Sequence, residues 1–338
     1  MTVEDVWYGS DARARSARAG LAPAAWLYGA VTATRNRMYD AGLLRALSSP
    51  VPVISVGNLT VGGTGKTPFT AHLVQLLRSM EPARQPAIVM RGYGGDEKVL
   101  HERLNPGVRV YASPDRAAGI KLAAADGADV VVLDDAFQHR RAGRSLDVVL
   151  VSAEQWRGDL KILPAGPLRE SLAGLRRAHL IVVTSKGADE NRINGVASRV
   201  ARIAPRVQVV RADFLMRDLV DAQEPERSIS LEQLAGAELL AIAGVGDPSS
   251  FVAQLRAIGA HVTSCTFADH HAYTVAEVAM LSRKARDHKY VVTTGKDAVK
   301  LAPLWPAKAP PLWYVSQAVR ITGGESVLAQ ALRDALSR

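Results

Sequence analysis

The sequence predicts an α/β protein with a mainly parallel sheet in its first domain and a second, smaller α/β lobe. Short apolar runs rich in Val and Ile alternate with longer segments, which is typical of strands buried on both faces of a parallel sheet. The first run, which begins at Val51, leads into a glycine-rich turn, and a polar stretch between residues 216 and 239 separates two series of runs. These observations indicate two α/β units.

The predicted strands are spaced so that helices fit between them. Besides the run at Val51, those of the first domain are 87–90, 130–133, 147–152, 180–184 and 207–210, and those of the second are 239–243, 261–267, 290–293 and 312–315. The apolar periodicity of residues 69–77 predicts a helix directly after the glycine-rich turn. The predicted organisation is an N-terminal helical segment at 1–45, the first domain at 46–217, a linker at 218–237, the smaller lobe at 238–325 and a C-terminal helix at 326–338.

The composition is that of a globular protein with an anionic partner. Hydrophobic residues make up 48% of the 338 positions and charged residues 22%, which excludes an intrinsically disordered chain. The net charge of +9 favours nucleic acid, anionic lipid or a phosphorylated substrate. Nucleic acid is the least favoured, because aromatic residues are only 5% and no long Lys/Arg run occurs. The single cysteine, Cys265, excludes an intramolecular disulfide.

The glycine-rich turn is predicted to be a phosphate-binding loop, so the first domain is predicted to be P-loop NTPase-like. Glycines let backbone N–H groups converge on a polyphosphate, and the following helix offers its positive N-terminal end. Lys66 is expected to reach the terminal phosphates and Thr67 to bind Mg²⁺. Thr60 occupies the place of the first glycine in the usual pattern. The predicted nucleotide-binding residues are Gly62, Gly63, Thr64, Gly65, Lys66 and Thr67.

Two carboxylates, Asp134 and Asp135, follow directly after the strand predicted at 130–133. Carboxylates at the carboxyl end of such a strand are where P-loop enzymes hold Mg²⁺, so both are candidate ligands together with Thr67. Since adjacent residues point to opposite faces of a strand, only one of the two is expected to bond the metal directly. Residues 137–141 then place cations beside the phosphate site, with a solvated basic loop as the alternative.

Three further residues are candidates for catalysis. Asp96 follows a glycine-rich turn and is a candidate general base toward a hydroxyl, with a simple turn residue as the alternative. His270 would make a proton-accepting pair with Asp96 because histidine titrates near neutral pH; a surface histidine is the alternative. Arg169, in a rigid Pro/Gly turn, is placed to complement phosphate charge.

The N-terminal segment contains an apolar stretch between Arg18 and Arg35 that is too short and too rich in small residues to span a membrane. Trp26 and its neighbours Leu27 and Tyr28 are flanked by arginines, which suits a helix lying among lipid headgroups. A helix that merely packs on the nucleotide domain is the alternative. The sequence does not decide between them.

The order of the motifs resembles that of one family, the tetraacyldisaccharide 4'-kinases of lipid A biosynthesis. The motifs that carry the resemblance, which extends from about Trp26 to Leu301, are 56–68, 91–95, 134–135, 137–141, 163–167, 269–271 and 296–301. Ala136 and Gly295 depart from the family pattern, in which Gly and Glu are usual, and Asp96 follows Gly95 without the intervening stretch of relatives.

The resemblance implies ATP-dependent, Mg²⁺-assisted phosphorylation of the 4'-hydroxyl of tetraacyldisaccharide 1-phosphate. It further implies a monomer without a nucleic-acid partner, held peripherally by a membrane-associating N-terminal helix on the anionic cytoplasmic face of the inner membrane of a Gram-negative-type bacterium. By the same resemblance, Asp96 and His270 form the proton-accepting pair, and Arg116 and Arg169 line the active site. Tyr93, Arg116, Gln138 and His139 are the expected substrate-binding residues. The alternatives are a soluble small-molecule P-loop kinase and a nucleotide-dependent switch protein.

Overall fold

A computed structural model describes residues 3–92, 95–156 and 159–337 of the chain. The chain divides into two compact units. Unit 1 comprises Met1–Gly92, Gly107–Asp213 and Arg320–Arg338, and unit 2 comprises Tyr93–Pro106 and Phe214–Val319. The sequence did not predict that residues 93–106 belong to the second unit, because they lie within the stretch expected to form the first domain.

The strands of the described residues include every predicted one, within one or two residues at the starts. They are β1 (Val53–Asn58), β2 (Pro86–Met90), β3 (Val110–Ala112), β4 (Val130–Asp134), β5 (Leu146–Ser152), β6 (Leu180–Ser185), β7 (Gln208–Asp221), β8 (Ser228–Ser230), β9 (Glu238–Ala243), β10 (His261–Thr266), β11 (Tyr290–Thr294) and β12 (Leu312–Gly323). Strands β7 and β12 extend well beyond their predicted ends. The apolar pattern did not predict their later residues, because buried and more exposed positions alternate in β7 and the later residues of β12 are only partly buried.

The helices of the described residues lie between these strands. They are α1 (Val3–Tyr8), α2 (Ala12–Asp40), α3 (Lys66–Ser79), α4 (Asp96–Leu104), α5 (Arg116–Ala125), α6 (Glu190–Ile203), α7 (Pro248–Ala257), α8 (Val275–Lys284), α9 (Gly295–Leu301) and α10 (Glu325–Leu336). Within the described ranges, no helix is both long enough and apolar enough to cross a membrane.

Unit 1 contains a parallel sheet in the order β7-β6-β5-β1-β4-β2-β3. All residues of β1, β4, β5 and β6 are buried, as the continuous Val/Ile runs predict. Strand β1 lies between β4 and β5, so the loops that follow β1 and β4 emerge at the same edge of the sheet. This order confirms the predicted P-loop NTPase-like fold and brings two predicted motifs together.

Unit 2 contains a second parallel series, β10-β9-β11-β12, and an antiparallel pair of β7 and β8 where the sequence predicts a linker. Buried apolar residues of β9 and β11 pack against α8 and α9 in its core, among them Leu240, Leu281, Val291 and Leu301. Helices α4 and α9 also pack against each other. The predicted smaller α/β lobe is therefore confirmed, with α4 as an additional element.

Candidate active site

The phosphate-binding loop joins the buried strand β1 to α3, which begins at Lys66. Gly62 and Gly65 have φ angles of +116° and +87°, a region that L side chains rarely adopt, so glycine is required at both positions. Gly65 caps the helix, and the first backbone N–H groups of α3 have no partner within the helix. The loop therefore leaves backbone donors and the positive end of the helix dipole available at this edge of the sheet, and phosphate binding by these residues stays a prediction.

Asp134 lies at the buried end of β4 and faces the first turn of α3. Its Oδ2 accepts a hydrogen bond from Thr67 Oγ1 at 3.3 Å, and its Oδ1 accepts one from Thr70 Oγ1 at 3.4 Å. A hydroxyl beside a carboxylate matches the oxygen ligands that Mg²⁺ prefers. Among the described residues no group of three or more acidic, His or Cys side chains forms a metal cage.

Asp135 has a different environment from its neighbour. Its φ is +50°, and its Oδ1 lies 2.6 Å from a terminal guanidinium nitrogen of Arg169 and 3.7 Å from Lys66 Nζ. Burial opposes ionisation of this carboxyl, but the cations of Lys66, Arg169 and Arg116 outweigh burial and lower its pKa below the usual value. Asp135 is therefore an anion that holds Lys66 and Arg169 together beside the loop.

The segment after the acid pair is tied into the protein interior. The Gln138 side-chain amide donates to Asn58 O at 2.9 Å and to Glu170 Oε1 at 3.1 Å. Glu170 is buried and also pairs with Arg177 through two hydrogen bonds of 2.8 and 3.0 Å. The donors of Gln138 therefore serve to anchor the loop, and any contact of this residue with substrate has to use its oxygen.

Two other predicted substrate residues also lie in unit 1. Arg116 is buried at the start of α5, where it donates to the backbone oxygens of Ser113 and Pro114. His139 is half-buried, and burial together with the nearby Arg116 and Arg144 cations lowers its pKa. These surroundings favour the neutral form of the imidazole. Predicted substrate residue Tyr93 lies outside the described residues.

In unit 2 the structure brings the predicted catalytic residues Asp96 and His270 together. Asp96 begins α4, and its Oδ2 lies 3.9 Å from His270 Nδ1. Lys300 Nζ lies 3.6 Å from the same oxygen. Asp96 Oδ1 is buried and has no hydrogen-bond partner among the described residues. A buried carboxylate with one uncommitted oxygen is a suitable acceptor for the proton of a hydroxyl.

Sequence reasoning did not single out two lysines near this pair, Lys296 and Lys300 of α9, whose Nζ atoms lie 3.0 Å from His270 Nε2 and 3.6 Å from Asp96 Oδ2. Both lie in a motif that carries the family resemblance, yet neither was assigned a function. Their i, i+4 spacing after a predicted strand was the available signal, because it places both side chains on one helix face.

The N-terminal helix α2 is attached to unit 1 near its C-terminal end. Asn36 Nδ2 donates to Glu170 Oε2 at 2.8 Å, and Arg140 donates to Asn36 O at 2.9 Å and to Asp40 Oδ1 at 2.7 Å. Further toward the N-terminus, Trp26 and Leu27 remain 75% and 60% exposed. The helix therefore packs on the nucleotide domain at one end and leaves an apolar surface uncovered elsewhere.

Comparisons with known proteins agree on one family. Residues 17–107 and 94–337 match the family described as Tetraacyldisaccharide-1-P 4'-kinase. A Tetraacyldisaccharide 4'-kinase from Anaeromyxobacter sp. is 38% identical over 99% of this chain and 97% of its own, and that of Syntrophotalea carbinolica is 38% identical over 83% of each. The crystal structure of LpxK from Aquifex aeolicus in complex with ATP superposes with a TM-score of 0.74 and 28% identity, covering 94% of this chain and 99% of that one.

Proposed function

The chain belongs to the tetraacyldisaccharide-1-P 4'-kinase family, and from this we propose that its phosphate-binding loop serves transfer of the γ-phosphoryl group of ATP to the 4'-hydroxyl of tetraacyldisaccharide 1-phosphate. The new bond joins the 4'-oxygen to the γ-phosphorus, and the bond from that phosphorus to the β–γ bridging oxygen breaks. The observation that carries the proposal is the cluster of Lys66, Asp135 and Arg169 beside the loop.

In this cluster the two cations are held ready for phosphate. Lys66 and Arg169 share one carboxylate oxygen of Asp135, so a single anion balances two cations and net positive charge is left for phosphate. The loop amides and Lys66 bind the β- and γ-phosphates, and Arg169 complements the charge on the transferred group. Because phosphoryl transfer relies on positioning and charge stabilisation, these residues supply most of what the reaction needs.

Thr67 and Asp134 are the residues that would hold Mg²⁺, since their oxygens already lie within hydrogen-bond distance. The bound ion supplies neutralisation of charge on the β- and γ-phosphates. Asp135 keeps its ion pairs with Lys66 and Arg169.

Asp96 accepts the proton of the 4'-hydroxyl, with His270 as its partner. The support is the buried, uncommitted Oδ1 of Asp96 and the 3.9 Å separation of its Oδ2 from the imidazole. A positioned carboxylate of this kind contributes typically about 10²–10⁴-fold to a rate. Arg116, Gln138 and His139 contribute to substrate binding.

The enzyme acts as a peripheral monomer on the cytoplasmic face of the inner membrane, where its acylated substrate resides. The exposed Trp26 and Leu27 of α2 enter the headgroup region, and the flanking Arg15 and Arg37, both exposed, contact lipid phosphates. The net charge of +9 suits the same surface.

The test is a phosphorylation assay with full-length protein, Mg²⁺-ATP and tetraacyldisaccharide 1-phosphate in detergent micelles. We expect a bisphosphorylated lipid by mass spectrometry, and we expect Lys66→Ala to reduce its formation by about 10²–10³-fold, the loss typical for removal of one charge-stabilising group. Lys308→Ala, at an exposed position of unit 2, is the matched control and should keep full activity. Binding of ATP without phosphorylation of the lipid would favour a soluble acceptor or a nucleotide switch.

A further inference from the structure

The loop after β6 is held in shape by a carboxylate from the loop after β5. Glu154 Oε1 accepts hydrogen bonds from Lys186 N at 2.6 Å, Ser185 Oγ at 3.3 Å and Ala188 N at 3.3 Å. Ser185 Oγ in turn accepts from Ala188 N at 3.0 Å and from Gly187 N at 3.1 Å. These bonds fix the backbone of a short turn, so Lys186 starts from a defined position at the edge of the sheet.

The end of β6 is also joined to the phosphate-binding loop. Thr184 Oγ1 donates to Thr64 O at 3.3 Å, and Lys186 Nζ donates to Gly63 O at 3.1 Å. Lys186 is therefore held at both ends, by its backbone N–H at one loop and by its ammonium at the other. Its four-carbon stem spans the gap between the two loops, and the side chain remains partly exposed.

The order of the strands indicates which part of a nucleotide meets this lysine. Asp134, at the end of β4, contacts Thr67 on one side of the phosphate-binding loop, where the proposed function places Mg²⁺ and the terminal phosphates. Strands β5 and β6 lie on the other side of β1, and β6 is about 10 Å from β1, twice the spacing of neighbouring strands. A nucleotide with its terminal phosphates beside Asp134 therefore extends its base toward β6.

We propose that Lys186 is a nucleotide-binding residue whose stem forms one wall of the base site while its ammonium stays on Gly63 O. A lysine with an anchored charge presents its methylenes as an apolar strip. The flat ring of adenine gains from contact with such a strip, because apolar area leaves water on both sides. The space beside the strip is open: Gly187 is exposed, and a Cβ added there would meet no described atom within 4 Å.

The competing role for Lys186 is to shape the phosphate-binding loop alone. In a trans peptide the C=O and the following N–H point in opposite directions, so a hydrogen bond to Gly63 O also orients a loop amide. Loss of that bond would weaken every phosphate ligand equally, whether or not it carries a base. A base wall, in contrast, matters to ATP and not to inorganic tripolyphosphate. The two roles therefore predict different results with these two ligands.

The test is competition binding of Mg²⁺-ATP and of Mg²⁺-tripolyphosphate to the full-length protein, against a fluorescent ATP analogue labelled on its ribose. Lys186→Ala removes three methylenes and the charge, whereas Lys186→Met keeps a stem of similar length. We expect Lys186→Ala to reduce the preference for ATP over tripolyphosphate by about 10- to 50-fold, since each buried methylene contributes roughly a factor of four. Lys186→Met and the control Lys121→Ala, at an exposed position of α5, should keep the wild-type preference.

Equal weakening of ATP and tripolyphosphate in Lys186→Ala would overturn the inference, because it would assign the lysine to the loop alone. An unchanged affinity for ATP would overturn it as well. The backbone bond from residue 186 to Glu154 needs no side chain, so the turn should persist in each variant, and melting temperatures without nucleotide check this. Lys186→Ser is a second truncation with the same expected loss of preference.

The inference rests on the proposed function for the direction in which ATP lies, but its measurement uses no lipid. Loss of the ATP preference in Lys186→Ala, in a protein that phosphorylates no lipid, would support the base wall and contradict the proposed function. Lipid phosphorylation together with equal losses for ATP and tripolyphosphate would support the function and contradict the base wall.

Discussion

Replacement of Gly57 by alanine tests whether β1 has to lie as close to Phe137 as it does for the protein to be stable and active. A Cβ at this position would lie 2.5 Å from Phe137 Cβ and 2.8 Å from its backbone nitrogen. Ordinary contacts of this kind begin near 3.4 Å, so Phe137 or β1 has to move by almost an ångström. Both are fully buried, and overpacking of this kind destabilises a core by about 1–3 kcal/mol.

The displacement also affects the site. Phe137 lies two residues after Asp135 and next to Gln138, which is bonded to Asn58 of the same strand as Gly57. We therefore expect Gly57→Ala to lower the melting temperature by roughly 2–12 °C, at about 2–4 °C per kcal/mol, and to reduce kcat at least about tenfold.

The matched control is Gly195→Ala, in the exposed part of α6, where an added Cβ meets nothing within 4 Å. Alanine is favoured over glycine inside a helix by about 0.5–1 kcal/mol, so this variant should be slightly more stable than the wild type and equally active. Differential scanning fluorimetry and the lipid phosphorylation assay measure both effects. A Gly57→Ala protein with wild-type stability and kcat would refute the reasoning.

Three other predictions follow from the described contacts. Because the pKa of Asp135 is lowered in the folded protein, its contribution to stability is present at neutral pH and is lost as the pH falls through that lowered value; Asp135→Asn should show a smaller loss of the urea midpoint between pH 7 and pH 3 than the wild type. Trp26→Ser with Leu27→Ser should weaken sedimentation with anionic vesicles by about 100-fold or more, at about 1.5–3 kcal/mol for each apolar side chain, without changing ATP binding; unchanged sedimentation would argue against α2 as the membrane contact. Asp297→Asn leaves buried donors unsatisfied and should lower the free energy of unfolding of unit 2 by about 1–3 kcal/mol, whereas equal stability in urea would show that the donors find other partners.

The sequence predicted the phosphate-binding loop and the acid pair, because each of them is a short run of consecutive residues. The phosphate-binding loop and the acid pair each follow a buried strand, and the order of β1 and β4 in the sheet brings them to one edge. The different surroundings of Asp134 and Asp135 agree with the expectation that adjacent residues face opposite sides. Local pattern was sufficient here because a strand end and a helix start are local features.

The parts that escaped prediction depend on contacts between distant segments. Helix α4 has little apolar character of its own, and nothing in residues 96–104 indicates that it packs on α9. The contacts of Lys296 with His270 and of Lys300 with Asp96 join residues of separate elements. A hydrophobic pattern carries no information on such polar pairs, because they are specified by tertiary packing.

The division of both units into separate stretches of chain has a consequence for synthesis on the ribosome. Asp96 and Lys300 are about two hundred positions apart, and contacts of such high sequence separation form late and slowly. Unit 1 also requires residues 320–338, which include α10. Neither unit is complete until the last part of the chain has emerged, so a product truncated within β12 would carry an intact loop sequence but no finished domain. Expression of either unit alone therefore calls for rejoined segments rather than a simple cut.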